Sequence, residues 1–318
     1  MAKDFAPRQT MTLFDDNSPF PLDQEPPPQS PAEPGPAAAP PPSEIPLAGD
    51  PIHLAATHPS EIRSSKPYLP EDLRISWSWP HFVVFLFFGV VSFFIVQVSF
   101  MVYYAAPLRH LSNQKDFERF VLSRPGFAIG SMVLLYALIF LFLYVSLSVL
   151  PGSPFWRTLG WRRLTRSPWL FFFAGCGLSI VVFIVTAKMQ PPEDVPIEEL
   201  FRYKNTAILF MAMAVLVAPL VEETVFRGYL YPLFAKYFGV GTSVLVTGVL
   251  FGLMHGAQLG WTWGLVFTLI AVGIIFTFVR ARTGSVFASF LLHLGYNSMI
   301  ALVTILGTQG FSKMPPTH

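Results

Sequence analysis

From residue 81 to residue 306 the sequence is a succession of apolar runs, most of them about 20 residues long, and this repetition restricts the fold more than any other feature. A helix rises about 1.5 Å per residue, so about 20 residues cross the roughly 30 Å hydrocarbon core of a bilayer. The runs cover residues 81–105, 127–150, 169–187, 206–238, 242–255, 263–279 and 285–306. Composition agrees. The chain is 53% hydrophobic and only 13% charged, against about 25% charged in an ordinary soluble domain. The surplus apolar side chains must face lipid, which excludes a simple soluble globular protein. The expected fold is all-α, a polytopic transmembrane bundle of seven or eight helices. The uncertainty in number sits in run 206–238, which as one straight helix would reach about 50 Å. Pro219 lies inside it, lacks a backbone donor, and predicts a kink or break there.

Ahead of the first run the composition changes. Residues 1–70 hold 17 of the 30 prolines, with 9 acidic and 4 basic side chains. Such a segment buries too little apolar surface to offset the entropy of ordering. Residues 1–72 are therefore expected to be a disordered, Pro-rich tail, not a signal peptide. Residues 73–150 are expected to carry the N-terminal transmembrane helices and 151–310 an intramembrane core. Between the second and third runs lies Phe155-Trp156-Arg157-Thr158-Leu159-Gly160-Trp161-Arg162-Arg163, a composition suited to the headgroup layer. With seven spans, Arg157, Arg162, Arg163 and Arg166 share a side with Lys236, Arg280 and Arg282. The positive-inside rule then places the tail in the cytoplasm, although Arg109, Lys115, Arg119 and Arg124 crowd the opposite side. Cys176 is the single cysteine, so no intrachain disulfide exists. There is no basic patch for nucleic acid, and no repeat of a solenoid period.

Ionisable residues at membrane depth are costly and are first candidates for function. Here they are few and grouped: Glu222, Glu223 and Arg227 at the middle of the long run, His255 at the end of the next, and His293 and Asn297 in the last. Glu223 and Arg227 are four apart and can pair on one helix face, which leaves Glu222 turned elsewhere. His293 and Asn297 also share a face. A carboxylate in a low-dielectric site suits a general base, a histidine beside it can help hold a water, and an asparagine with a second histidine can donate to a developing oxyanion. There is no Gly-x-Ser-x-Gly elbow, no serine or cysteine beside a base, and no His-Glu-x-x-His motif. Singly, each piece has an ordinary explanation: a helical ion pair, an interfacial histidine, or hydrogen-bond glue between helices. Occurring together in consecutive helical segments, they point to a site.

The combination Glu222-Glu223-x-x-x-Arg227, Phe251-x-x-x-His255 and His293-x-x-x-Asn297 resembles the signature of the CPBP family. These are CAAX proteases and bacteriocin-processing proteins, also called the Abi family, with type II CAAX prenyl endopeptidases among them. The resemblance covers roughly residues 150–306, and Leu159-Gly160-Trp161-Arg162 is similar to a stretch that often precedes the family core. It implies an intramembrane endopeptidase in which Glu222 and His255 activate water, His293 and Asn297 form the oxyanion hole, and Glu223 and Arg227 hold the site together. Family members have been described both as metalloproteases and as glutamate proteases. A zinc set of Glu222, His255 and His293 stays open beside the favoured water-activating glutamate without a required metal. The implied substrate is a peptide or membrane protein, prenylated or not, handled within the lipid bilayer. A bacterial plasma membrane is the expected location. Two rivals from other classes are a catalytically silent scaffold or immunity-type protein and a transporter. Against the transporter, no pair of broken helices occupies matching halves.

Overall fold

The computed structural model describes residues 70–110, 113–149, 154–189, 200–201 and 203–312. Residues 1–69, and with them most of the expected tail, lie outside the described residues. The helices start where the expected runs start, and prolines mark the starts. Pro80, Pro125, Pro168, Pro219 and Pro232 each occupy one of the first two positions of a helix, where the missing donor costs nothing and the fixed φ suits the helix. Besides one-turn helices at Ala105–Leu108 and Phe155–Thr158, the elements in chain order are α1 (Trp79–Tyr103), α2 (Gln114–Ser123), α3 (Pro125–Ser148), α4 (Pro168–Ala187), α5 (Lys204–Leu216), α6 (Ala218–Glu223), a π-helical segment (Thr224–Leu230), α7 (Tyr231–Phe238), α8 (Val240–Met254), α9 (Trp263–Thr283) and α10 (Val286–Gly307). No strand occurs among the described residues.

Among the described residues, six helical stretches are long and apolar enough to cross a membrane: α1, α3, α4, the composite Lys204–Phe238, α9 and α10. The seventh apolar helix, α8, has 15 residues, about 22 Å, and stops short of a full crossing. The protein is thus a multi-pass integral membrane protein, an all-α bundle. Many of its outward side chains are large and apolar, among them Phe87, Phe94 and Val102 on α1 and Phe173 and Phe183 on α4; in water such surface would be a liability, whereas lipid accepts it. The long run breaks where expected. Val217 separates α5 from α6, and Pro219 sits in the first turn of α6. Beyond it the helix widens into the π segment, a rare geometry that recurs at functional sites.

Two interfaces depend on bare backbone. A Cβ on Gly295 of α10 would collide with the carbonyl of Phe172 on α4, and one on Gly175 with the carbonyl of Leu292. On α8, Gly248 and Gly252 face Ile274 and Ile270 of α9 just as closely. Apolar side chains gain little from leaving lipid for another helix, so close van der Waals approach through small residues supplies the attraction.

The structure departs from the sequence reading at two places. The loop between α1 and α3 contains α2, whose start is capped by the Asn113 side chain accepting from the Asp116 backbone at 2.9 Å. The last residues of the expected tail are folded: Glu71–Leu73 forms a 3₁₀ turn with Leu73 buried. The Asp72 carboxylate accepts from Arg280 Nη1 at 2.6 Å, across 208 residues of sequence. Trp77 follows, fully buried and stacked on Tyr229 at 5.4 Å. Its indole N–H donates to the Tyr229 carbonyl at 3.2 Å, so this short segment is laced to the π segment. The same end of the bundle holds Gly160, whose carbonyl accepts from Val286 N at 2.9 Å, and Arg162, whose carbonyl accepts from Ser285 Oγ at 2.7 Å.

Candidate active site

The π segment and α6 set the two adjacent glutamates on different duties. Glu223 and Arg227 are both fully buried. Arg227 Nη1 donates to Glu223 Oε1 at 2.9 Å, Nη2 donates to the Gly273 carbonyl at 2.9 Å, and Nε donates to Thr277 Oγ1 at 3.2 Å. Thr277 Oγ1 in turn donates to the Gly273 carbonyl at 2.7 Å. The guanidinium also lies 4.4 Å from the ring centroid of Phe251. A buried charge is tolerable only when paired and hydrogen-bonded on every side, and this one is. Arg227 thereby joins the Glu223 helix to α9.

Glu223 reaches a third helix as well. His293 Nδ1 lies 3.0 Å from Glu223 Oε1. The Arg227-paired carboxylate is an acceptor, so Nδ1 carries a proton and donates. That turns His293 Nε2 toward the neighbouring glutamate, 3.9 Å from Glu222 Oε2. The expected i, i+4 ion pair is therefore present, and Glu222 is turned away from it toward open space.

Glu222, His255, His293 and Asn297 line one cavity of about 550 Å³. This is the observation that the separate motifs could only suggest: four residues from three elements converge on one space within the bundle. His255 caps the C-terminus of the short helix α8. Its Nδ1 lies 2.7 Å from the Phe251 carbonyl. A carbonyl only accepts, so Nδ1 donates and Nε2 is left as the free ring nitrogen. Asn297 Nδ2 donates to the Ala214 carbonyl at 2.7 Å, which fixes which end of the amide is nitrogen and leaves a second N–H. Ala214 is in the last turn of α5, where carbonyls lose their helical partners; the break at Pro219 thus creates the acceptor that orients Asn297.

Two features differ from the sequence reading. The histidine beside Glu222 is His293, while His255 makes its recorded bond to its own helix. Tyr136 of α3 also enters the site, its hydroxyl 3.5 Å from Glu222 Oε1. A lone tyrosine in an apolar span gives no signal in the sequence, and nor does Gln258, which lines the cavity from the turn after α8. For zinc, no group of three or more His, Cys, Asp or Glu side chains among the described residues stands close enough to hold a metal ion. As arranged, Glu222, His255 and His293 do not form such a ligand set.

The cavity continues from this centre along α10. His293, Asn297, Ile300, Thr304 and Thr308 all line it, a stripe at helical spacing about 22 Å long.

Residues 204–299 match the family described as Type II CAAX prenyl endopeptidase Rce1-like. The matched stretch runs from the start of α5 to α10 and contains all six residues singled out from the motifs, in agreement with the resemblance to the CPBP family. A distant curated relative, UPF0177 protein YbdI of Lactococcus lactis subsp. lactis (strain IL1403), is 27% identical over 183 residues, 55% of this chain and 94% of the relative. No solved structure matches the chain significantly.

Proposed function

We propose that the chain is an intramembrane endopeptidase that hydrolyses a peptide bond with a water activated by Glu222. The observation that carries this is the convergence of Glu222, His255, His293 and Asn297 on one cavity, inside a stretch that is Rce1-like. A substrate entering along α10 would bring its scissile carbonyl to these four side chains.

The residues then divide the work. A water between Glu222 Oε2 and His293 Nε2, which are 3.9 Å apart, is within hydrogen-bond reach of both. Its oxygen attacks the carbonyl carbon while Glu222 takes its proton, and His255 Nε2 is a second acceptor that holds the water from the cavity wall. The carbonyl oxygen becomes an oxyanion. Asn297 donates to it through the N–H not given to Ala214, and His293 joins it as a donor when Nε2 also carries a proton. These donors are positioned before the reaction and so need no reorganisation during it. Collapse breaks the C–N bond, and Glu222 returns the proton to the leaving amine. Glu223 and Arg227 touch no reacting atom; they hold the His293 ring at Nδ1 and so set its angle. Each step is performed by side chains, so no metal is assigned a role.

The substrate class is a peptide or membrane-protein segment drawn into the bilayer, prenylated or not, and the bacterial relative favours a bacterial plasma membrane as the setting. The test is a cleavage screen of proteome-derived peptides by the purified protein in liposomes. Products that appear with the wild type and are absent with Glu222→Ala support the reading. A folded wild-type protein that cleaves nothing its variant spares, across prenylated and unprenylated peptides, contradicts it.

A further inference from the structure

We infer that Tyr136 is a positioning residue of this centre, holding Glu222 Oε1 so that Oε2 is the oxygen presented to the attacking water; the inference rests on the hydrolytic reading above. Tyr136 belongs to α3, outside the Rce1-like stretch 204–299, so nothing in that match assigns it a role. The two oxygens of Glu222 face different partners. Oε1 lies 3.5 Å from the Tyr136 hydroxyl, and Oε2 lies 3.9 Å from His293 Nε2. The last torsion of a glutamate is broad and nearly two-fold, so a carboxylate held by neither oxygen presents either one, in a range of directions. A donor on Oε1 alone removes that freedom and leaves Oε2 as the base.

The surroundings explain why the donor must be this one. Glu222 is largely buried, with 16% side-chain exposure, while Arg227 and His293 are both engaged at Oε1 of its neighbour Glu223. From α3 the cavity receives Met132 and Tyr136; only the tyrosine carries a hydroxyl. Tyrosine bonds through a rigid ring, so its oxygen is delivered at a set height above Glu222. The 3.5 Å separation is long for an O–H···O bond, as is common for catalytic contacts in a site without substrate, which shorten when the complex forms.

A buried phenol also needs some acceptor for its own sake, and the experiment must separate that structural role from positioning. Tyr136→Phe keeps the ring and removes the donor. In the full-length protein in liposomes, kcat, KM and Tm are measured for Tyr136→Phe, for Glu222→Asp, for the double variant, and for Glu222→Gln as a reference. Glu222→Asp keeps a carboxylate but withdraws it from Tyr136. Tyr136→Phe is expected to leave KM and Tm near wild type and to lower kcat about tenfold, the usual worth of a hydrogen bond to a charged group. In the Glu222→Asp background the same change is expected to cost nothing further, because residues acting as a unit are not additive. A wild-type kcat for Tyr136→Phe, an equal loss in both backgrounds, or a change confined to Tm or KM overturns the inference while leaving the hydrolytic reading intact. Full activity of Glu222→Gln overturns the hydrolytic reading itself.

Discussion

Asn297 shows how a single side chain couples backbone to chemistry. One N–H of its amide satisfies the Ala214 carbonyl at 2.7 Å, and the other is left for substrate. Asn297→Ala removes an oxyanion donor, and kcat is expected to fall about 10²–10³-fold with little change in KM. Strong chelators are expected not to imitate that loss; activity lost on chelation and restored by stoichiometric zinc would instead assign the water to a metal. Much of this site was legible in the sequence. Glu223 with Arg227, and His293 with Asn297, follow from four-residue spacing, and polar groups in apolar runs mark themselves. The partners across the bundle were not legible. That His293 rather than His255 stands beside Glu222, and that Tyr136 reaches Glu222 Oε1, depends on how α3, α8 and α10 are rotated about their axes. Spans that are apolar all round, such as α3 and α8, leave that rotation unspecified.

The elements themselves followed the apolar runs closely, since length and hydropathy decide where a chain can cross lipid. The expected run 127–150 is α3 (Pro125–Ser148), and 285–306 is α10 (Val286–Gly307). The reading passed over the short helix α2, whose ten residues do carry an amphipathic period, and the pattern could not give the π segment, whose wider turn leaves no mark in the sequence. The α4–α10 contact gives an element-scale test. Gly295→Ala places a methyl against the Phe172 carbonyl, and overpacking of this kind costs about 1–3 kcal/mol. Gly177→Ala on α4 meets nothing within 4 Å. Thermal unfolding in detergent is expected to show a lowered Tm for the first and an unchanged Tm for the second.

At the scale of the whole molecule, an apolar bundle holds one polar centre, and the segment leading into α1 is laced to the far end of α9. The Asp72–Arg280 pair, 208 positions apart, could not be read from sequence because nothing local pairs those residues. It predicts where the chain can be shortened. Removing residues 1–69 is expected to leave Tm and cleavage close to wild type, as for a solvated segment. Removal through Ser78 takes away Leu73, Trp77 and the Arg280 partner, leaving a buried cation unpaired. That version is expected to unfold at lower temperature, which thermal scans of the two truncations would compare directly. What the molecule does is tested most directly by the turnover of a cleaved peptide by purified Glu222→Gln against wild type, with matched Tm. The amide nearly keeps the shape of the carboxylate and cannot take the proton, so hydrolysis is expected to fall at least about 10²-fold. Equal turnover by the two proteins would contradict it.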